Sequence, residues 1–278
     1  MDPSMNPIQP LLLVPGLMCN EAVWMPVIPL IAHAAQCHVV DHGEAHSLTR
    51  MAEELLTHAP DRFALAGHSM GARVALEVYR LAPDRVSRIA LLDSGYLPCP
   101  PGDAGVQEKD KRHQLLHMAR TQGVRSMARE WVQGMVHPQR LSDVVLIETI
   151  LDMFDCKTPE IFAAQVQALL NRPDATAVLK SLQVPTLMAC GSQDLWAPPA
   201  QHQRDHPDPS HALRNACLHR RLAEGGAGRR SGGREAAGTG DIAIVHELQE
   251  VCVDTVPVSR LSRTDRATRR AAQRQANR

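Results

Sequence analysis

The chain has 278 residues, 44% of them apolar and 22% charged, a length that suits one large domain or two small ones with a sizeable buried core. Thirty Lys and Arg balance thirty Asp and Glu, which excludes a globally basic nucleic-acid binder and gives no general pull toward anionic membranes or acidic substrates. The balance hides an asymmetry: residues 201–278 hold fourteen Arg, no Lys and nine Asp plus Glu, a surplus of five positive charges, so the first 200 residues carry five negative ones.

The opening MDPSMNPIQPLLLVPG has no basic segment before its short apolar run, and Pro15-Gly16 interrupts that run at once. It reads as neither a signal peptide nor a membrane span, so a cytoplasmic protein is expected. Seven Cys are scattered without a CxxC pair, which argues for reduced thiols rather than a disulfide framework or a four-ligand zinc site.

Four short apolar runs follow, each ending in turn residues: Leu11–Val14, Cys37–Val40, Phe63–Ala66 and Ile89–Leu92. Each predicts a buried strand. Leu48–Ala59 and Met70–Leu81 place apolar residues at helical spacing between them, the order that a mostly parallel α/β sheet with crossover helices requires. A Pro/Gly-rich hinge, Leu97–Gly105, opens nearly eighty residues of helical character. Within them Thr158-Pro159-Glu160 has the capping hydroxyl and first-turn proline of a helix start, with Ile161, Phe162, Gln165, Val166 and Leu169 behind it. Strand character returns at Val184–Cys190 and closes in Gly191-Ser192-Gln193-Asp194.

From about Gln201 the pattern dissolves. No aromatic residue follows Trp196, Gly225–Gly240 reads as a linker, and only Ile242–Val245 and Val251–Val258 look like strands. The expected organisation is therefore a first part of the core over 1–98, a helical cap over 99–173, a returning core helix and strand over 174–200, and a poorly ordered tail over 201–278.

The sharpest motif is Gly67-His68-Ser69-Met70-Gly71, set between a strand and a helix. The chain's own Gly and Ser frequencies predict only about 0.05 GxSxG matches by chance. At such a turn a serine hydroxyl is exposed at the sheet's carboxyl edge and the glycines let strand and helix approach closely. Attack on a carbonyl moves charge onto oxygen, so two donors are needed. The backbone N–H of Met70, at the helix N-terminus, and that of Leu17, after Pro15-Gly16, are the candidates.

Together the segments LLLVPGLMCN (11–20), FALAGHSMGARVALEV (63–78), APDRVSRIALLDSGYLP (82–98) and VPTLMACGSQDLWAPP (184–199) resemble the α/β-hydrolase superfamily, most nearly its small esterase-type members with a helical cap, over residues 11 to about 200. The resemblance implies that Ser69 is the nucleophile and that Asp194, in the G-x-x-D turn, orients the base. Pro15-Gly16 replaces the commoner His-Gly, and Ala72 stands where relatives often carry a second Gly. The family's Gly-His turn after the last strand is missing, and with it the last strand and helix of the core in recognisable form. His219 has suitable spacing but no strand pattern before it, and His246 ends an apolar run but lies 52 residues beyond Asp194. Resemblance, Lys, aromatics and strand pattern all fade near Gln201–Arg204, as a change of reading frame there would produce.

These features predict a serine hydrolase that forms an acyl-enzyme on Ser69 with a small carboxylic ester or related acyl compound. The alternative is a catalytically impaired hydrolase fold, lacking the base, that serves as a binding scaffold. Met118, Trp131, Met135, Val136, Met153 and Phe154 are candidates for an acyl pocket, or else plain core. Asp93, after a strand at the same edge, is a substitute acid. Without GxGxxG, GxxxxGK[ST] or HExxH, no cofactor or metal is expected. The tail's surplus charge is too diffuse to predict nucleic-acid binding.

Overall fold

The computed structural model describes residues 8–191 and 213–218. Strand β1 (Gln9–Val14) is followed by a short 3₁₀ turn at Glu21–Val23 and a one-turn helix α1 (Ile28–Ile31). Then come β2 (Ala35–Val39), α2 (Leu48–His58), β3 (Phe63–His68), α3 (Met70–Leu81) and β4 (Val86–Leu92). Five helices separate β4 from β5: α4 (Asp103–Gln122), α5 (Val124–Met135), α6 (Val144–Asp155), α7 (Pro159–Leu170) and α8 (Thr176–Lys180). The sheet closes with β5 (Thr186–Gly191) and β6 (Leu213–Leu218).

All neighbouring strands pair parallel, in the order β2-β1-β3-β4-β5-β6. The period-2 alternation of strands divides the apolar residues between two faces. Leu12, Val14, Phe63, Leu65, Ile89, Leu91 and Met188 join the larger core, with residues of α2, α3 and the inserted helices. Leu11, Leu13, Ala64, Ala66, Ala90, Leu92, Leu187 and Ala189 pack on Trp24, Val27 and Ile31 on the opposite face.

Local chemistry marks the helix ends. Ser47 caps α2 by accepting from Arg50 N–H at 3.1 Å, and Thr158 caps α7 by accepting from Ile161 N–H at 3.2 Å. Gly102 has φ 66° just before α4 begins, the left-handed conformation that glycine adopts without steric penalty.

β6 is absent from the sequence pattern. Leu213-Arg214-Asn215-Ala216-Cys217-Leu218 has no continuous apolar run and no strict alternation, so backbone pairing with β5 rather than hydrophobic signal defines it. The sheet therefore extends one strand beyond β5, and His219, whose preceding segment does not read as a strand, follows one directly in the chain. The rest of the tail, including Ile242–Val245 and Val251–Val258, lies outside the described residues.

From β1 the chain runs outward to β2 and then returns to place β3 on β1's other side. At such a switch point the loops leaving adjacent strands diverge at their carboxyl ends and open a crevice between them. The loops after β1 and β3 are those that carry Leu17 and Ser69.

Candidate active site

Between the last residue of β3 and the first of α3, Ser69 alone makes the turn. Its φ of 54° and ψ of −116° lie in a region that costs a non-glycine residue about 1–3 kcal/mol. The surroundings enforce it: Ser69 N–H donates to the Leu92 carbonyl at 2.8 Å, and Ala72 N–H to the Ser69 carbonyl at 3.1 Å. A Cβ on Gly67 would sit 2.4 Å from the Gly71 carbonyl oxygen, and one on Gly71 would sit 2.0 Å from that of Val14. Both obstacles are backbone, so neither position admits a side chain without movement of the turn or of β1.

The loop after β1 comes up to this turn from the neighbouring strand. A Cβ on Gly16 would lie 3.2 Å from Ser69 Cβ and 3.0 Å from His68 Nδ1, so the absence of a side chain there permits the approach. Leu17 follows immediately. Met70 is the first residue of α3, where a helix has no carbonyl one turn back to accept its N–H. The positive end of the helix dipole adds to the preference for an anion at that point.

Several contacts hold the loop itself. Met18, with φ 61°, donates its N–H to Oε1 of Gln165 in α7 at 2.8 Å. The Gly16 carbonyl accepts from Cys19 N–H at 3.1 Å, and the Pro15 carbonyl meets His42 Nε2 at 3.1 Å. That contact is a hydrogen bond when Nε2 carries the proton. Burial pushes His42 below its ordinary value, against the opposing pull of the Pro15 hydrogen bond and of Asp41, so the ring is neutral at pH 7. Burial likewise pushes the Cys19 thiol up to about 12, which keeps it protonated and inert beside the loop.

Asp93 follows β4 directly with φ 48°. Its N–H donates to the Ala189 carbonyl and its Oδ1 accepts from Gly191 N–H, both at 2.9 Å. The carboxylate thus anchors the end of β5, the strand that precedes Asp194 in the chain. Asp194, His219 and His246 lie outside the described residues. Among the described residues no imidazole is hydrogen-bonded to Ser69 Oγ, and no group of three His, Cys, Asp or Glu is placed to hold a metal ion.

Of the candidate pocket residues, Trp131, Met153 and Phe154 are buried. Trp131 packs edge-on against Phe154 at 5.4 Å and tilted against Phe162 at 5.5 Å, which joins α5, α6 and α7. Met135, by contrast, is 41% exposed. Sequence reasoning passed over Gln165 and His42 as site residues. The available signals were a glutamine on the apolar stripe Phe162, Val166, Leu169 and a histidine just after a strand.

Comparison with known proteins agrees with this fold. Residues 11–239 match the pattern of the alpha/beta hydrolase family. The pimeloyl-[acyl-carrier protein] methyl ester esterase of Photobacterium profundum is 29% identical over 200 residues, covering 68% of this chain and 77% of that protein. Its counterpart from Pectobacterium carotovorum is 35% identical over 97 residues, 32% of this chain and 37% of the relative. Among solved structures, a thermophilic esterase from Thermogutta terrifontis superposes with a TM-score of 0.64 at 23% identity, covering 76% of this chain and 80% of its own. The enol-lactonase from Burkholderia xenovorans gives 0.62 at 20% identity, over 70% and 77% respectively. At these identities the structural likeness is one of fold. Among the described residues no helix is long and apolar enough to cross a membrane.

Proposed function

The chain belongs to the alpha/beta hydrolase family, and from that premise we propose that it hydrolyses a small carboxylic ester through an acyl-enzyme on Ser69. The observation that carries this reading is the backbone of Ser69, held at φ 54° between β3 and α3 with the Gly16 loop against it. Ser69 Oγ attacks the ester carbonyl carbon and gives its proton to an imidazole. The resulting oxyanion is met by the N–H groups of Leu17 and Met70, each such donor contributing about 2.7–4 kcal/mol to lowering the barrier. Collapse of the tetrahedral species expels the alcohol, which takes up the proton. Water then attacks the acyl carbon, and the acid leaves with Ser69 restored.

We favour His219 as the base because it is the next residue in the chain after β6, a strand paired parallel with β5. His246 is the other candidate. Asp194, three residues beyond the end of β5, is assigned to orient the ring. The names of the relatives above direct the substrate search toward methyl esters of carboxylic acyl chains.

The test is labelling with a fluorophosphonate probe together with turnover of p-nitrophenyl acetate and a methyl ester series. Labelling and turnover that vanish in Ser69→Ala carry the reading. If His219 is the base, His219→Ala lowers kcat by about 10⁴-fold or more while His246→Ala leaves it near the wild-type value. The second reading is a binding scaffold without a base. Absence of both labelling and turnover would select it.

A further inference from the structure

The loop after β1 is pinned from two sides by residues far away in the chain. His42, 27 residues on, holds the Pro15 carbonyl from beyond β2. Gln165, 147 residues on, holds the Met18 N–H from α7, one of the helices inserted between β4 and β5. Both partners are almost wholly buried, so water does not compete for these bonds, and an acceptor withdrawn from Met18 leaves a buried N–H unpaired.

Met18 adopts φ 61°, a conformation that a long side chain rarely takes and that persists only where its surroundings enforce it. The Gln165 carbonyl is the long-range contact at that residue. The Leu17 N–H shares its peptide plane with the Gly16 carbonyl, which accepts from Cys19 N–H, and none of the bonds that hold Pro15–Cys19 engages that N–H itself. A shift at Met18 displaces Cys19, the donor to the Gly16 carbonyl, and so turns the Gly16–Leu17 plane and the Leu17 N–H with it.

Gln165 is itself held in register. One turn earlier, Phe162 packs tilted against Trp131 of α5, which packs edge-on against Phe154 of α6. Val166 and Leu169 bury the same stripe of α7. A glutamine on that stripe would be a costly intruder were its carbonyl not used, since a buried amide without a partner is destabilising.

We propose that Gln165 is a positioning residue for the oxyanion hole: by fixing Met18 N–H it holds the Gly16–Cys19 turn and with it the direction of the Leu17 amide, so the hole is complete only when α7 is docked against the loop after β1. The inference rests on the reading of Ser69 as the acyl-bearing nucleophile. It adds that the inserted helices reach the chemistry through the backbone of this loop.

The experiment compares wild-type protein, Gln165→Met and Val166→Ala for thermal midpoint, fluorophosphonate labelling rate, kcat and KM on p-nitrophenyl acetate. Methionine keeps the volume and removes the acceptor, while Val166→Ala loosens the same helix without touching Met18. Gln165→Met is expected to lower kcat and the labelling rate by about 10–100-fold, because a catalytic group misplaced by about 1 Å loses up to that much, with KM within about threefold of wild type. Val166→Ala is expected to lower the thermal midpoint with kcat held within about threefold.

Should Gln165→Met fail to fold, Gln165→Asn is the second variant. It keeps the amide but draws the oxygen back by one methylene, and the same loss of kcat is expected. An unchanged kcat in the folded variant, or an equal loss in Val166→Ala at equal stability, overturns the inference while leaving Ser69 in place. Absence of labelling in the wild-type protein overturns the Ser69 reading and the inference with it.

Discussion

Adding a single methyl group at Gly71 tests whether the approach of α3 to β1 sets both stability and activity. The Cβ of Gly71→Ala would lie 2.0 Å from the Val14 carbonyl oxygen, and 2.6 Å from the Pro15 oxygen and the Val14 carbonyl carbon. Ordinary contact begins near 3.4 Å, so the helix or the strand end must withdraw by about 1.4 Å, and no flexible side chain is available to absorb it. Overpacking of this kind costs about 1–3 kcal/mol, which for a chain of this size lowers the thermal midpoint by about 2–12 °C.

The same displacement separates the two amides assigned to the oxyanion, because Met70 moves with α3 and Leu17 with the end of β1. A misfit of about 1 Å at a catalytic group lowers turnover by about 10²-fold. Gly134→Ala is the control. Among the described residues its Cβ meets nothing within 4 Å, and in the last turn of α5 it should gain about 0.4–1 kcal/mol with activity unchanged. Differential scanning fluorimetry and p-nitrophenyl acetate turnover report both quantities. If Gly71→Ala keeps the wild-type midpoint and rate, the close approach of helix and strand is not what positions the site.

The strain at Ser69 should appear as a stability difference: Ser69→Gly, which adopts φ 54° freely, is expected to be more stable than Ser69→Ala by about 1–3 kcal/mol, and equal urea midpoints would refute this. His42 is held below its ordinary value near 6.5, so the unfolded chain takes up a proton first as pH falls. Its contribution is present above about pH 6.5 and is lost progressively below that, and the difference in unfolding free energy between wild type and His42→Gln should shrink from pH 7.5 to pH 5; a constant difference would count against a buried neutral ring. Burial raises the Glu108 carboxyl, but hydrogen bonds and charge from Arg172 and Arg112 outweigh it and hold it at about 2. Glu108→Gln should therefore destabilise by on the order of 2 kcal/mol at pH 7, with the gap closing as pH falls from about 4.5 toward 2, and a gap independent of pH would show that the ion pair is not its source.

What the sequence made legible follows the physics of short range. The buried strands show as apolar runs because both faces of the central sheet are covered. α2, α3 and α7 show because their apolar positions recur at helical spacing behind recognisable starts. Gly67 and Gly71 were readable because close backbone approach leaves no alternative residue type. β6 was not, since Arg214 and Asn215 break the apolar pattern and its partner strand is more than twenty residues away in sequence. Gln165 was read as one member of an amphipathic stripe, where its polarity registers only as a gap. Its role depends on Met18 arriving opposite it, and no local pattern encodes an encounter across 147 residues.

Backbone strain supplies the signal that composition does not. Among the described residues three non-glycine positions have positive φ: Met18, Ser69 and Asp93. They follow β1, β3 and β4, three adjacent strands, at the same carboxyl edge. Each is held by a bond from elsewhere: Met18 by Gln165, Ser69 by the Leu92 carbonyl, and Asp93 by the Ala189 carbonyl and Gly191 N–H. Strain of about 1–3 kcal/mol per residue persists only where packing over-determines it, and here it is gathered along one edge rather than scattered among the loops. Relaxing any of the three would ease the fold locally, yet it would also move the hydroxyl at 69, the amide at 17 or the end of β5, to which the proposed reading assigns the nucleophile, an oxyanion donor and the strand preceding the acid. The stability forgone along this edge and the chemistry assigned to it therefore have the same structural origin.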